Sequence, residues 1–212
     1  MKRLNIGDIT ALLASAALMV MAAMAFMGDQ ALTYEVNTGI FCALFALLPL
    51  VFRHASVMSL PSPFVVMIEL AIFLHAYGVL FGTYDFLVWW DTVTHFISSV
   101  TVALCVFYAL LVVAEFDKRI RVPAKWMPLL IFLVMMTFGA YWEVFEFFVD
   151  QLTGTNMQYS PWDTIRDLTC DAAGALLVSL YAYIYMKKHD AKEFIDGLEL
   201  HPKLTNVIRR DH

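Results

Sequence analysis

The 212-residue sequence is poor in charge and in cysteine. Only 16% of its residues are charged and 61% are hydrophobic. A soluble globular chain has about 25% charged and 45–50% apolar residues, so the composition excludes a soluble enzyme, a nucleic-acid-binding protein and a disordered chain. The 3 cysteines lie in separate apolar stretches without the spacing of a metal or redox motif, which argues against a disulfide framework.

Internal repeats and common catalytic motifs are also missing from the sequence. It contains no Gly-x-Ser-x-Gly, no His-Glu-x-x-His and no Walker phosphate-binding loop. No nucleophile can therefore be assigned from a motif. The missing repeat argues against a transporter built from two inverted halves.

Six apolar stretches are each long enough to cross a membrane as a helix, which needs about 20 mostly apolar residues. They cover residues 9–27, 32–52, 61–83, 90–115, 124–149 and 167–186. We therefore predict an all-α, polytopic integral membrane protein with a single six-helix transmembrane domain over residues 1–186. Residues 187–212 are predicted to form a polar cytoplasmic tail, either as a short surface helix or without structure.

The basic residues predict the orientation of these helices. With a cytoplasmic N-terminus, every Lys and Arg except Arg166 lies on the cytoplasmic side, where positive charge is retained. Tryptophans typical of a membrane interface gather on the opposite side, at positions Trp89, Trp90, Trp142 and Trp162. We predict a multi-pass protein of a bacterial or archaeal cytoplasmic membrane with both termini in the cytoplasm.

The first apolar stretch allows a second interpretation. Lys2 and Arg3, the apolar run and Ala23-Met24-Ala25 together resemble a signal peptide with its cleavage site. The run is longer than the usual core of about 7–15 residues, which favours a retained helix. Cleavage would leave the orientation of the other five helices unchanged.

Ionisable residues within apolar stretches are costly in lipid, so they indicate a partner or a functional cavity. Here they gather at the extracytoplasmic ends of the fourth, fifth and sixth helices. The three sets are Asp91 and His95, then Glu143, Glu146 and Asp150, and finally Asp163, Asp167 and Asp171 with Arg166 beside them. Spacings of three and four residues place each set on one helix face. Glu69 and His75 on the third helix are weaker members.

The depth of these residues predicts a common site. At 1.5 Å per residue, His95, Glu143 and Asp171 lie roughly 6–10 Å inside their helix ends, which puts them at one level. Repulsion among so many carboxylates requires a bound cation or shared protons. We predict a divalent metal, Mg²⁺, Mn²⁺, Ca²⁺ or Zn²⁺, held by Asp91, His95, Glu143, Glu146, Asp167 and Asp171.

Other roles are open for some of these residues. Asp91 and Asp163 stand where a helix N-cap or first-turn acid is favoured. A carboxylate paired with Arg166, or hydrogen-bonded across helices, would explain others without a ligand. His75 alone is more typical of a satisfied core histidine.

Three motifs carry a resemblance to a known family. They read Trp90-Asp91-Thr92-Val93-Thr94-His95-Phe96, Tyr141-Trp142-Glu143-Val144-Phe145-Glu146-Phe147 and Trp162-Asp163-Thr164-Ile165-Arg166-Asp167-Leu168. In their order and spacing the chain resembles, over residues 60–186, the YjdF-like family of bacterial inner-membrane proteins. It is more distantly similar to VanZ-like membrane proteins. The first resemblance implies the fold, the membrane location and a shared polar site, and the second implies a role in the cell envelope.

Three classes of function fit these observations. The first is a metal-dependent membrane enzyme acting on a phosphate-bearing or lipid-linked substrate, with Glu146 and Asp163 as catalytic residues and Arg166 and Trp162 binding the substrate. The second is a proton- or cation-coupled transporter, which Glu69 would support and the one-sided distribution of polar residues disfavours. The third is a noncatalytic protein that binds membrane lipid or pins helices together. The oligomeric state is not predicted by the sequence.

Overall fold

The structure is a computed structural model that describes residues 3–29, 32–117, 122–189 and 191–208, and every regular element in them is helical. The helices are α1 (Ile6–Asp29), α2 (Tyr34–Phe45), α3 (Leu48–His54), α4 (Ser62–Leu80), α5 (Thr83–Phe86), α6 (Val88–Phe116), α7 (Met127–Thr153), α8 (Pro161–Lys188), α9 (Ala191–Gly197) and α10 (Pro202–Ile208), with a 3₁₀ turn at Ala124–Trp126. Six helical segments are long and apolar enough to cross a membrane. The predicted all-α fold with six spans is confirmed, and the sidedness of the termini stays a prediction.

Two spans differ in detail from the predicted boundaries. The second is divided into α2 and α3 by a turn at residues 46–47, because Pro49 cannot donate the helical hydrogen bond to the residue four positions earlier. The sixth begins at Pro161 rather than at residue 167. Ser160 caps this helix by accepting a hydrogen bond from the Asp163 backbone at 3.2 Å, and proline is favoured at the first helical position.

The chain divides into two compact units. The first contains Met1–Thr94 and Lys192–His212, and the second contains His95–Ala191, so the division falls within α6. In the first unit α1 packs against α2, α3 and α4, while in the second α7 packs along α8. The prediction of a single transmembrane domain stays a prediction.

Small residues set the register of α1 and α4 in the first unit. A Cβ added at Gly7 would lie 3.2 Å from the Val65 Cβ, so these two positions are in contact. A Cβ added at Gly39 of α2 would lie 2.9 Å from Leu80 and 3.1 Å from Ala22, which puts the last two residues at one level. Both contacts give the same offset between α1 and α4, which therefore run parallel.

A buried polar cluster closes the beginning of α1. The Asp8 carboxylate, 2% exposed, accepts hydrogen bonds from the Asn5 backbone at 3.1 Å and from Arg53, and the His54 Nε2 lies 3.4 Å from it. The Asn5 side chain accepts from the Asp8 backbone at 2.8 Å in return, which forms a reciprocal helix cap. Asp8 therefore links the first turn of α1 to the end of α3.

Most of the predicted tail belongs to the first unit, which contains Lys192–His212, and its described residues include the helices α9 and α10. Ile195 and Leu198 are buried, and the Ser59 backbone donates to the Leu198 carbonyl at 2.6 Å. The His201 backbone donates to the Val57 carbonyl at 2.9 Å. Residues 191–208 therefore contain two short helices joined by residues 198–201, and the position of the tail on the cytoplasmic side stays a prediction.

Candidate metal-binding site

Two helices of the second unit face each other with buried acids. Gly139, Glu143 and Glu146 follow the helical repeat on α7, and Asp163, Asp167 and Asp171 follow it on α8. All five carboxylates are buried, with exposed fractions from 1% for Asp167 to 7% for Glu146 and Asp163. The predicted acidic stripe on the sixth span therefore faces the protein interior.

Close packing at Gly139 fixes the register between α7 and α8. A Cβ at position 139 would collide with the Asp171 carboxylate, so glycine leaves the space that this carboxylate fills. Farther along, the Ser179 hydroxyl donates to the Pro128 carbonyl at 2.9 Å. In this antiparallel register Glu143 is level with Asp167. Asp171 is level with Gly139, one turn away from the level that the depth estimate predicts.

His95 and Ser99 connect α6 to the Asp171 carboxylate on α8. The His95 Nδ1 lies 3.4 Å from the Asp171 Oδ1, and the Ser99 hydroxyl contacts the same oxygen. Ser99 also lies 2.6 Å from the His95 carbonyl oxygen, and its side chain is buried. Ser99 was not among the predicted site residues, although its position four residues after His95 places it on the same helix face.

Two predicted ligands approach each other at metal-binding distance. His95 and Asp167 each offer one ligand atom, and these atoms lie within 4.8 Å of each other. Asp91 precedes His95 by four residues on α6, a spacing that puts both on one helix face. Two ligands on opposite sides of a Ca²⁺ ion are about 4.6–5.2 Å apart, and about 4.0–4.2 Å apart around Mg²⁺.

Arg166 contacts two of the buried acids. Arg166 is ion-paired with Asp163, and its Nε lies 3.7 Å from the Asp167 Oδ1. In the described part of the chain, the Glu143 Oε1 is buried without a hydrogen-bond partner. Among the described residues, the Arg166 guanidinium and the His95 imidazole contact these carboxylates. A buried carboxylate oxygen without a partner, as in Glu143, is costly unless a cation or a proton compensates it.

The loop after α7 is tied to the acidic face by two side chains. Asp150 accepts hydrogen bonds from Thr155 at 2.8 Å and from the backbone of Met157 and Gln158 at 2.7 and 3.0 Å. The Gln158 Nε2 lies 3.3 Å from the Glu143 Oε2. Asp150 therefore shapes the loop, and Gln158 is a site residue for which the sequence alone gave no signal.

The predicted catalytic and substrate-binding residues lie at the loop end of the same helices. Glu146 accepts a hydrogen bond from the Trp142 indole at 2.8 Å, and the Asp163 carboxylate accepts one from the Tyr159 backbone at 3.3 Å. Arg166 is 34% exposed at its side chain, and Trp162 is 83% exposed. Their roles in catalysis and substrate binding stay predictions.

The fold and this cluster define a class of protein, a multi-pass helical membrane protein with buried acids in its second unit. The chain belongs to the family described as predicted membrane protein (DUF2238), whose model matches residues 9–188. The YjdF-like resemblance fits this family, and the VanZ-like resemblance stays a prediction. An uncharacterized protein of Thermotoga maritima is 27% identical over 137 residues, which are 64% of this chain and 69% of that protein. No solved structure matches the chain significantly.

Proposed function

We propose that the second unit binds a divalent cation. We further propose that this cation recognises a phosphate-bearing or lipid-linked molecule at the extracytoplasmic surface of the membrane. The observation that carries the proposal is the buried Glu143 oxygen without a described partner, on a helix face that packs against three further buried acids. A cation would remove the repulsion and would leave coordination positions for an anionic oxygen.

His95 and Asp167 are the first ligands in this proposal, with Glu143 level with Asp167 across the helix pair. Asp91, four residues before His95, belongs to the first unit, and its role as a ligand stays a prediction. Asp171 has a supporting role, because a carboxylate that accepts a hydrogen bond from one imidazole nitrogen orients the other toward a metal. Asp171 holds its place through Ser99 and through the space at Gly139.

Metal analysis of the purified full-length chain in detergent tests the proposal. We expect one tightly bound ion per chain after incubation with Mg²⁺, Mn²⁺, Ca²⁺ or Zn²⁺ and removal of unbound metal. Asp167→Asn and Glu143→Gln are expected to weaken binding by at least tenfold, because each removes a negative charge at the site. Calorimetric titration gives the affinities.

A matched control is Glu115→Gln, which makes the same chemical change at an exposed position near the end of α6. This variant is expected to bind metal as the unchanged protein does. Absence of a bound ion with all four metals, in protein shown to be folded, would contradict the proposal. The acids would then have to share protons.

Gly139→Ala separates the supporting role of Asp171 from that of the ligands. The new methyl group would occupy the position of the Asp171 carboxylate, which would have to turn away from His95. Loss of such a supporting partner typically weakens metal binding about 10- to 100-fold. We expect that reduction by titration, with helical content preserved in circular dichroism. Unchanged affinity would show that Asp171 does not support the site.

The Glu143 geometry favours metal-dependent catalysis as a second candidate function. One of its oxygens contacts Gln158, and the other has no partner among the described residues. A carboxylate held by one oxygen can accept a proton with the other, as a general base does. In this alternative Glu146 and Asp163 are further acid–base groups, and Arg166 and Trp162 contact the substrate head group.

Lipid nanodiscs distinguish binding from catalysis. We would incubate the protein with a phosphate-bearing lipid, with and without a chelator, and analyse both protein-bound and chemically changed lipid. Metal-dependent retention of unchanged lipid supports the binding function, whereas metal-dependent cleavage that Glu143→Gln abolishes supports the enzyme. Retention that the chelator does not affect would contradict recognition through the cation.

A further inference from the structure

Glu69 is a buried acid in the first unit that the proposed metal site does not use. Its side chain is 2% exposed, and neither carboxylate oxygen has a hydrogen-bond partner among the described residues. It lies in the middle of the membrane-crossing segment Ser62–Leu80. An ionised carboxylate at such a position would lack both water and a partner, which is among the costliest arrangements in a membrane protein.

The register of α1 and α4 identifies what lies beside Glu69. Val65 is in contact with Gly7, and the offset that this contact and the Ala22–Leu80 level share puts Ala11 level with Glu69. Ala11 is fully buried. On the other side of Glu69 along α4, Ala76 packs with Leu18 and Ala43 in an apolar core. The neighbour on α1 at the level of Glu69 and the core farther along α4 are therefore both apolar.

The titratable groups of the neighbouring elements lie at other levels or have other partners. Among the described side chains of the helices that contact α4, and of α3 beside α1, they are Asp8, Tyr34, Glu35, Cys42, Arg53, His54, Tyr84, Asp85 and Asp91, with His75 and Tyr77 on α4 itself. By register, Asp8 is the nearest of these groups. It lies three residues before Ala11, about 4.5 Å from the level of Glu69 along the α1 axis, and it already binds Arg53. His75 lies 3.2 Å from the Tyr84 hydroxyl.

We propose that Glu69 is a proton-binding site, a membrane-embedded carboxylic acid that carries its proton at neutral pH. A metal ion would need several oxygen ligands. The α1 residue at the level of Glu69 is Ala11, whose side chain offers none. A proton needs only the carboxylate itself. Binding it removes the charge, and the remaining polar group is far less costly to bury than an ion. This site is independent of the metal site in the second unit.

Infrared spectroscopy of the full-length protein in lipid nanodiscs tests the proposal. The carbonyl band of a protonated carboxyl group differs in frequency from the bands of an ionised carboxylate. In the difference between unchanged protein and Glu69→Gln at neutral pH, we expect the loss of one protonated-carboxyl band and no loss of carboxylate signal. Loss of carboxylate signal instead would overturn the proposal.

Two further variants support the assignment. Glu35→Gln changes the other glutamate of the spans in the first unit, one that is only partly buried, and it should leave the protonated-carboxyl band in place. Should Glu69→Gln fail to fold, Glu69→Asp keeps the carboxyl group, and the band should then shift rather than vanish. An unshifted spectrum in folded Glu69→Asp would equally overturn the proposal.

Discussion

Gly174→Ala is expected to destabilise the second unit by about 1–3 kcal/mol or more. The added Cβ would lie 2.9 Å from the Ser99 Cβ, 3.1 Å from the Val100 nitrogen and 3.2 Å from the Phe96 oxygen. Two of these neighbours are backbone atoms of α6, which cannot turn aside as a side chain can. The crossing of α6 and α8 must therefore widen. Reversible unfolding in mixed detergent micelles measures the loss.

The same substitution should also weaken the metal site, because Asp171 lies one turn before Gly174 on α8. A wider crossing would separate Asp171 from Ser99, its partner on α6. Gly28→Ala is the matched control, since no atom of the described residues lies within 4 Å of the Cβ it would add. Alanine is the better helix former, so this control should be neutral or gain up to about 1 kcal/mol. Equal stability of both variants would contradict the close crossing.

Asp8→Ala is expected to cost about 3 kcal/mol of unfolding free energy, the second large effect. The substitution removes the partner of Arg53, a cation whose side chain is only 16% exposed, and it also removes half of the reciprocal cap with Asn5. Leaving one charge of a buried pair without its partner costs about 3–5 kcal/mol. The partial exposure of Arg53 places the expectation at the lower limit.

The double variant Asp8→Ala/Arg53→Met separates the charge from the cap. With both charges removed, most of the loss should be recovered, because an apolar replacement of an ion pair is often neutral. The unfolding free energy that is not recovered measures the contribution of the Asn5–Asp8 helix cap. Asp196→Ala, at an exposed position of the first unit, should change stability by no more than about 0.5 kcal/mol. Additive single effects in the double variant would contradict a coupled pair.

The sequence predicted the spans and the acidic face because both follow from simple periodicities. Hydropathy locates apolar stretches, and spacings of four residues place Asp163, Asp167 and Asp171 on one face of α8. Hydropathy could not locate the start of that helix. It begins at Pro161 because Ser160 caps it, and the cap lies outside the apolar stretch. The depth of Asp171 was therefore underestimated by about one turn relative to Glu143.

Other features depend on contacts that no periodicity encodes. The hydrogen bonds of Asp150 to the loop after α7 require the path of the backbone, and so does the approach of Gln158 to Glu143. The division between α2 and α3 results from Pro49, which has no backbone N–H to donate. A hydropathy profile does not detect this property. In contrast, Ser99 was predictable, because it lies one turn from His95 on the same helix face.

The lengths of α7 and α8 make the acidic cluster sensitive to hydrophobic mismatch. They contain 27 and 28 residues, so each is about 40 Å long, whereas the hydrocarbon layer is about 30 Å thick. An excess of about 10 Å corresponds to about seven residues, and the last seven residues of α7 begin just after Glu146. A thin bilayer leaves these acidic helix ends among hydrated lipid head groups, and a thick one draws them toward hydrocarbon. Bilayer thickness is therefore expected to set how readily ions from the aqueous phase reach the carboxylates.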